Sequence, residues 1–172
     1  MKKNLANIIT ASRGIFSLIM LFVPFQSTAF AYVHLYCGLS DVADGFIARK
    51  TKTTSKFGSK LDGACDLLFY TVMMLKIWPH LKQHLPALGW IMIWVILGMR
   101  VVNYIYIAIS RKEFYSTHNI LNKATGTAMF FLPLVIMYVP SIFVGYSFLV
   151  EAIALAAAVV DIYPTIKSDM KR

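Results

Sequence analysis

The stretch "DVADGFIARKTKTTSKFGSKLDGACD", residues 41–66, holds four of the eight acidic residues in the chain. Asp41 and Asp44 close one apolar run, and Asp62 and Asp66 open the next. On a helix, spacings of three and four place each pair on a single face. Only a short basic loop separates the two runs. Two consecutive helices joined in this way bring both acidic pairs to the same membrane depth, where they can converge on one point.

The rest of the chain says what kind of helices these are. Its 172 residues are 58% hydrophobic and only 15% charged, with a mean hydropathy of +0.64. An ordinary soluble domain carries about 25% charged residues. Crossing about 30 Å of hydrocarbon takes about 20 apolar residues, and the apolar runs fit six such helices. The expected spans are roughly 8–27, 29–48, 60–79, 87–109, 122–139 and 141–163. Pro24, Pro79 and Pro140 fall near the ends of runs, where a missing donor costs least, and Pro133 falls inside the fifth. The expected architecture is an all-α polytopic membrane protein, a bundle of six transmembrane helices forming a single domain over residues 1–172.

Charge placement orients the bundle. The formal net charge is +9. Lys2, Lys3, Arg49, Lys50, Lys52, Lys56, Lys60, Arg111, Lys112, Lys123, Lys167, Lys171 and Arg172 cluster at the two termini and in the 2–3 and 4–5 connections. In a six-span topology these regions share one side. Cytoplasmic loops carry the Lys/Arg excess, so both termini are expected in the cytoplasm. Such a face attracts anionic membrane lipids. The basic loops lack the interleaved aromatics of a nucleic-acid groove, and no nucleic-acid partner is expected. The start of the chain, with "MKK", "IFSLIMLFV" and "AFA", has the outline of a cleavable secretory signal. Asn7, Thr10 and Arg13 interrupt that outline, and the segment is read as a retained helix. Cys37 and Cys65 form no metal-ligand pattern and are expected as small buried residues.

Four converging carboxylates repel one another, and an ionised side chain is costly in hydrocarbon. A single Asp at a helix end is ordinarily a cap or a solvated interface residue; four together ask for a counter-charge. Oxygen ligands without Cys or His suit a hard divalent cation, Mg²⁺ first, then Mn²⁺ or Ca²⁺. Two pairs suit two ions about 3.5–4 Å apart, an arrangement used for in-line phosphoryl displacement. Gly45 and Gly58 allow a ligand close to the backbone, Ala48 is small, and the forked cation of Arg49 suits a phosphate.

Asp41, Asp44, Gly45, Ala48, Arg49, Gly58, Asp62 and Asp66 match, at every fixed position and spacing, the signature D-x2-D-G-x2-A-R-x8-G-x3-D-x3-D. The chain therefore resembles the CDP-alcohol phosphotransferase (phosphatidyltransferase) family. Its length, helix number and N-terminal "NIITASR" resemble the family too. The resemblance implies transfer of a substituted phosphate from a CDP-linked donor such as CDP-diacylglycerol to an alcohol, with release of CMP. It implies two Mg²⁺ or Mn²⁺ ions on Asp41, Asp44, Asp62 and Asp66, with Asp66 also the general base. It implies a CDP site at Asp41, Asp44, Gly45, Ala48, Arg49 and Gly58. Asn7, Thr10 and Arg13 look like the family's N-x-x-T-x-x-R start, near the nucleotide's phosphates. A homodimer in a bacterial cell membrane, its site facing the cytoplasm, is the expected setting.

The acceptor is less constrained. Arg100, deep in the fourth run, and Lys123, opening the fifth, are candidates to bind an acceptor phosphate. Arg111 reads better as a positive-inside anchor, and Glu151 and Asp161 as helix-packing hydrogen-bond partners. His34, His80, His84 and His118 have no catalytic spacing. Gly63 follows Asp62 where many family members carry Ser or Pro, which removes one clue to the acceptor. Glycerol 3-phosphate is the first choice; inositol phosphate, serine or a lipid headgroup hydroxyl are the alternatives. The leading reading outside enzymes is a cation-coupled transporter. Its acids would lie nearer the bilayer midplane, between helices interrupted by Gly or Pro.

Overall fold

A computed structural model describes residues 5–50, 55–111 and 120–169; at residues 5–6, 48–49, 56, 108–111 and 163–169 it describes the backbone alone. Six α-helices follow one another: α1 (Leu5–Phe22), α2 (Thr28–Lys50), α3 (Lys56–His84), α4 (Ala87–Arg111), α5 (Ile120–Tyr138) and α6 (Phe143–Asp169). Among the described residues there is no strand. The expected all-helical architecture with six helices is present. The stretches 87–107, 120–138 and 140–162 are long and apolar enough to cross a membrane, whereas α1 supplies a shorter apolar segment, Asn7–Phe22. The charged residues of α2 and α3 lower their hydropathy although each is long enough to span.

Local chemistry sets the helix ends. The expected first span runs to residue 27, but α1 stops at Phe22. Pro24 follows, and Gln26 takes a left-handed backbone with φ 71°. Ser27 then caps α2, its Oγ accepting from the Phe30 N–H at 3.1 Å. Ser55 does the same for α3, accepting from the Gly58 N–H at 3.0 Å. Pro79 does not end α3, which continues to His84. A proline deletes one ladder bond, and Pro79 sits on the exposed side of a helix that goes on burying Leu81. Pro133 lies within α5 as expected. Pro140 opens a 3₁₀ turn, Pro140–Ile142, that leads into α6.

The chain forms two compact units, Met1–Lys82 and Gln83–Arg172. In the first, each helix buries one stripe. For α1 it is Thr10, Arg13, Ser17 and Met20; for α2 Phe30, His34, Cys37, Ser40 and Asp44; for α3 Cys65, Phe69, Val72, Met73 and Ile77. These steps of three and four are the helical period. The interior is graded along its length. One end is aromatic, with His34 stacked between Phe30 and Phe69 at centroid distances of 5.9 and 5.3 Å. The other end is polar. Cys37 and Cys65 are buried free thiols between them, as expected. Gly14 lets α3 approach α1: a Cβ there would stand 3.1 Å from Cys65 Sγ. At the aromatic end, Lys76 Nζ donates to the Val23 carbonyl at 2.8 Å and satisfies a group left bare where α1 stops.

In the second unit α6 packs against both α4 and α5. Its buried stripe is Phe143, Ser147, Val150, Glu151, Ala157, Ala158 and Asp161. Trp94, Val95, Val101, Val102, Tyr104 and Ile105 of α4 are exposed. A helix this apolar on its outer face is made for lipid.

Candidate active site

The polar end of the first unit gathers the N-terminal half of α1, the C-terminal part of α2 and the start of α3. Its centre is Arg13, expected beside the nucleotide's phosphates in this same site. Arg13 is only 1% exposed and reaches all four signature aspartates. Its Nη1 donates to Asp41 Oδ1. Its Nη2 donates to Asp62 Oδ1 at 2.6 Å and lies 3.2 Å from Asp66 Oδ1 and 4.0 Å from Asp44 Oδ2. A snorkelling arginine would have kept its head in water. Asp44 is the most buried of the four and accepts from the Thr10 hydroxyl at 2.6 Å. The three-residue step from Thr10 to Arg13 thus puts two donors of α1 against the two acids of α2.

One carboxylate oxygen from each of Asp41, Asp62 and Asp66 lies within 4.8 Å of the others. Asp44 stands outside that trio, held by Thr10, and is linked to it through Arg13. An all-oxygen set of this kind fits a hard divalent cation. The charge balance fits too: four carboxylates against one guanidinium leave three negative charges in the group.

Gly58 has a local reason to be glycine. A Cβ there would meet the Asn7 carboxamide oxygen at 2.9 Å and Ser55 Oγ at 3.2 Å. Asn7 therefore lies against the first turn of α3, and the expected CDP-site residues Asn7, Thr10, Arg13, Asp41, Asp44 and Gly58 come together. Gly45 follows Asp44 on α2 and is half-buried. The backbones of Ala48 and Arg49 continue α2, while their side chains lie outside the described residues, as does His118 altogether.

Arg100 and Lys123, the expected acceptor ligands, belong to the second unit. Lys123 is exposed. Arg100 Nη2 donates to Asn122 Oδ1 at 3.0 Å, and Asn122 Nδ2 donates to Asp161 Oδ2 at 2.8 Å. Asp161 is a helix-packing hydrogen-bond partner as expected. Glu151 is buried on the same helix with its Oε2 lacking a hydrogen-bond partner. Asn122 escaped the sequence reading, which passed over it for the neighbouring Lys123. The available signal was an amide at the head of an apolar run.

Fold and site together define an all-helical membrane protein with an aspartate-rich centre on its first three helices. The model of the CDP-alcohol phosphatidyltransferase family matches residues 3–161, across both units, and the chain belongs to that family. It is 33% identical over 89 residues to a CDP-diacylglycerol--glycerol-3-phosphate 3-phosphatidyltransferase of Haemophilus influenzae, covering 49% of this chain and 47% of that protein. It is 32% identical over 82 residues to the protein of the same description from Wigglesworthia glossinidia brevipalpis, covering 45% of each. The matched stretch thus spans about half the length of the curated relatives. No solved structure matches the chain.

Proposed function

We propose that this protein is a metal-dependent transferase that moves a phosphatidyl group from CDP-diacylglycerol to an alcohol and releases CMP. The observation that carries the reading is the gathering of the signature carboxylates, with oxygens of Asp41, Asp62 and Asp66 within 4.8 Å of one another. Glycerol 3-phosphate is the acceptor of first choice, supported by the activity in the names of both relatives. Inositol phosphate, serine and other alcohols are the alternatives. The chain spans a bacterial cell membrane six times as a homodimer, with termini and active site on the cytoplasmic side. The basic residues of the termini and of the 2–3 and 4–5 connections support that orientation.

Asp41, Asp44, Asp62 and Asp66 hold two Mg²⁺ or Mn²⁺ ions, which when bound neutralise the donor's diphosphate and stabilise charge on the leaving CMP. Asn7, Thr10, Arg13, Gly45, Ala48, Arg49 and Gly58 line the CDP site. A carboxylate oxygen of Asp66 takes the proton of the acceptor hydroxyl. The acceptor oxygen forms a bond to the lipid-side phosphorus as the bond from that phosphorus to the CMP oxygen breaks. Aspartate is a weak base for an alcohol, so proton transfer runs late, after the new bond has begun to form. Arg100 and Lys123 bind the acceptor's phosphate. Positioning and electrostatics dominate phosphoryl transfer, which suits a site made of carboxylates and cations.

The test uses the purified full chain in detergent with CDP-diacylglycerol, Mg²⁺ and a panel of alcohols, with CMP as the readout. CMP release should require the divalent ion and a single acceptor, and should vanish in Asp66→Asn. Cation flux through reconstituted protein, with no CMP under any condition, would favour the transporter instead.

A further inference from the structure

Arg13 occupies an unexpected place for a phosphate ligand. Its guanidinium is buried, spans all four carboxylates and uses Asp41 Oδ1, Asp62 Oδ1 and Asp66 Oδ1 through its two terminal nitrogens. Its Nε has no hydrogen-bond partner. The side chain is thus held there by charge, with one donor left over. Guanidinium does not lose its proton in proteins, so it cannot become neutral when another cation arrives. A divalent ion among the same carboxylates would lie within a few Å of it, where like charges repel strongly.

We propose that Arg13 is the internal counter-ion of the metal-free site, and that Arg13 and the divalent ions compete for the same carboxylates. This rests on the metal reading above. In the metal-free protein Arg13 draws the acids of α2 and α3 together and prevents them from repelling the helices apart. When metal enters, the guanidinium gives up the carboxylates. Four carboxylates and two divalent ions sum to zero charge, so a released Arg13 is an unneutralised cation beside the site. The donor's diphosphate is the anion that takes it. Arg13 therefore has two successive partners, and metal binding precedes productive docking of the diphosphate. Its first role is that of a positioning residue acting through the aspartates.

The experiment measures Mn²⁺ binding, by the electron paramagnetic resonance signal of free Mn²⁺, to metal-stripped full-length protein without substrate. Wild type, Arg13→Gln, Arg13→Lys and Asp62→Asn are compared, and the melting temperature of each metal-free protein is recorded. Arg13→Gln should bind Mn²⁺ at least about tenfold more tightly than wild type, because a competing charge is gone. Its metal-free form should melt lower, and added Mn²⁺ should raise its melting temperature further than that of wild type. Arg13→Lys keeps the charge but not the fork. It should fall between the two, and it serves if the glutamine variant does not fold. A merely structural arginine would lower stability and leave Mn²⁺ affinity unchanged or weaker, and that result in both variants overturns the inference alone. Failure of all four proteins to bind Mn²⁺ saturably overturns the metal reading and the inference with it.

Discussion

Each unit carries an arginine on a helix without acids of its own, Arg13 buried and Arg100 half-buried, but the two are neutralised differently. Arg13 touches carboxylates directly and is outnumbered four to one. Arg100 meets its acid through an amide: Asn122 stands between the guanidinium and Asp161. The first arrangement has surplus negative charge and calls for further cations. The second pairs one arginine with one carboxylate across a neutral spacer, so the guanidinium keeps most of its field. An arginine held by an amide would be free to attract an anion under the proposed function, while one sunk among four carboxylates would not until something else neutralises them. On the function proposed above, the same residue type would serve a metal site in one unit and an anion site in the other.

The comparison breaks most sharply at the surplus carboxylates. Asp66→Asn should lower the rate of CMP release by at least about a hundred- to ten-thousand-fold, the range for losing a general base, with metal coordination lost in addition. Asp62→Asn should match it in rate and also weaken Mn²⁺ binding, because it removes one of the clustered ligands. If Asp66→Asn turned over at the wild-type rate, the assignment of the base would fall.

Arg100 should behave in the opposite manner. Arg100→Gln should raise KM for a phosphorylated acceptor by about ten- to a hundredfold, the loss of a charge-assisted hydrogen bond. KM for CDP-diacylglycerol and Mn²⁺ affinity should stay unchanged. Asn122→Ala should give a smaller shift of the same sign, because Asn122 would act on the acceptor through the orientation of Arg100. Equal effects of Arg100→Gln on Mn²⁺ affinity and on the acceptor would erase the distinction drawn between the two arginines.

The same contrast shows what a sequence can and cannot carry. Asp41, Asp44, Asp62 and Asp66 were legible because their spacing fixes a shared helix face and a short loop fixes a shared depth. The common face of Asn7, Thr10 and Arg13 was legible for the same reason. What that face touches was not, since a periodic pattern specifies direction and no partner. Arg13 therefore read as a phosphate ligand while its guanidinium lies on carboxylates. Thr10 showed no sign that its hydroxyl would serve Asp44. The Arg100–Asn122–Asp161 chain joins residues 22 and 39 positions apart on three helices, a separation beyond local patterning. Helix ends failed at Phe22 and Pro79 for another reason. The apolar run goes on past Phe22 to Phe25, but the backbone turns at Pro24 and Gln26; at Pro79 burial of the following turn outweighs one missing bond.

Gly58→Ala sharpens the comparison most finely, because two effects of opposite sign meet at one atom. Alanine is favoured over glycine in a helix by up to about 1 kcal/mol, and Gly58 lies in the first turn of α3, where its N–H already has Ser55 as a cap. On that ground the variant should melt no lower than wild type. The new Cβ, however, would stand 2.9 Å from the Asn7 carboxamide oxygen, closer than packed atoms tolerate. Asn7 is a side-chain tip and can rotate away, so the fold survives while the CDP site loses its placed amide. KM for CDP-diacylglycerol should rise severalfold, about what one neutral hydrogen bond is worth. Mn²⁺ affinity should hold, since no carboxylate moves. A variant that lost stability and metal affinity together would mean that the Gly58 contact supports the carboxylates themselves, and the boundary between nucleotide site and metal site in the first unit would have to be redrawn.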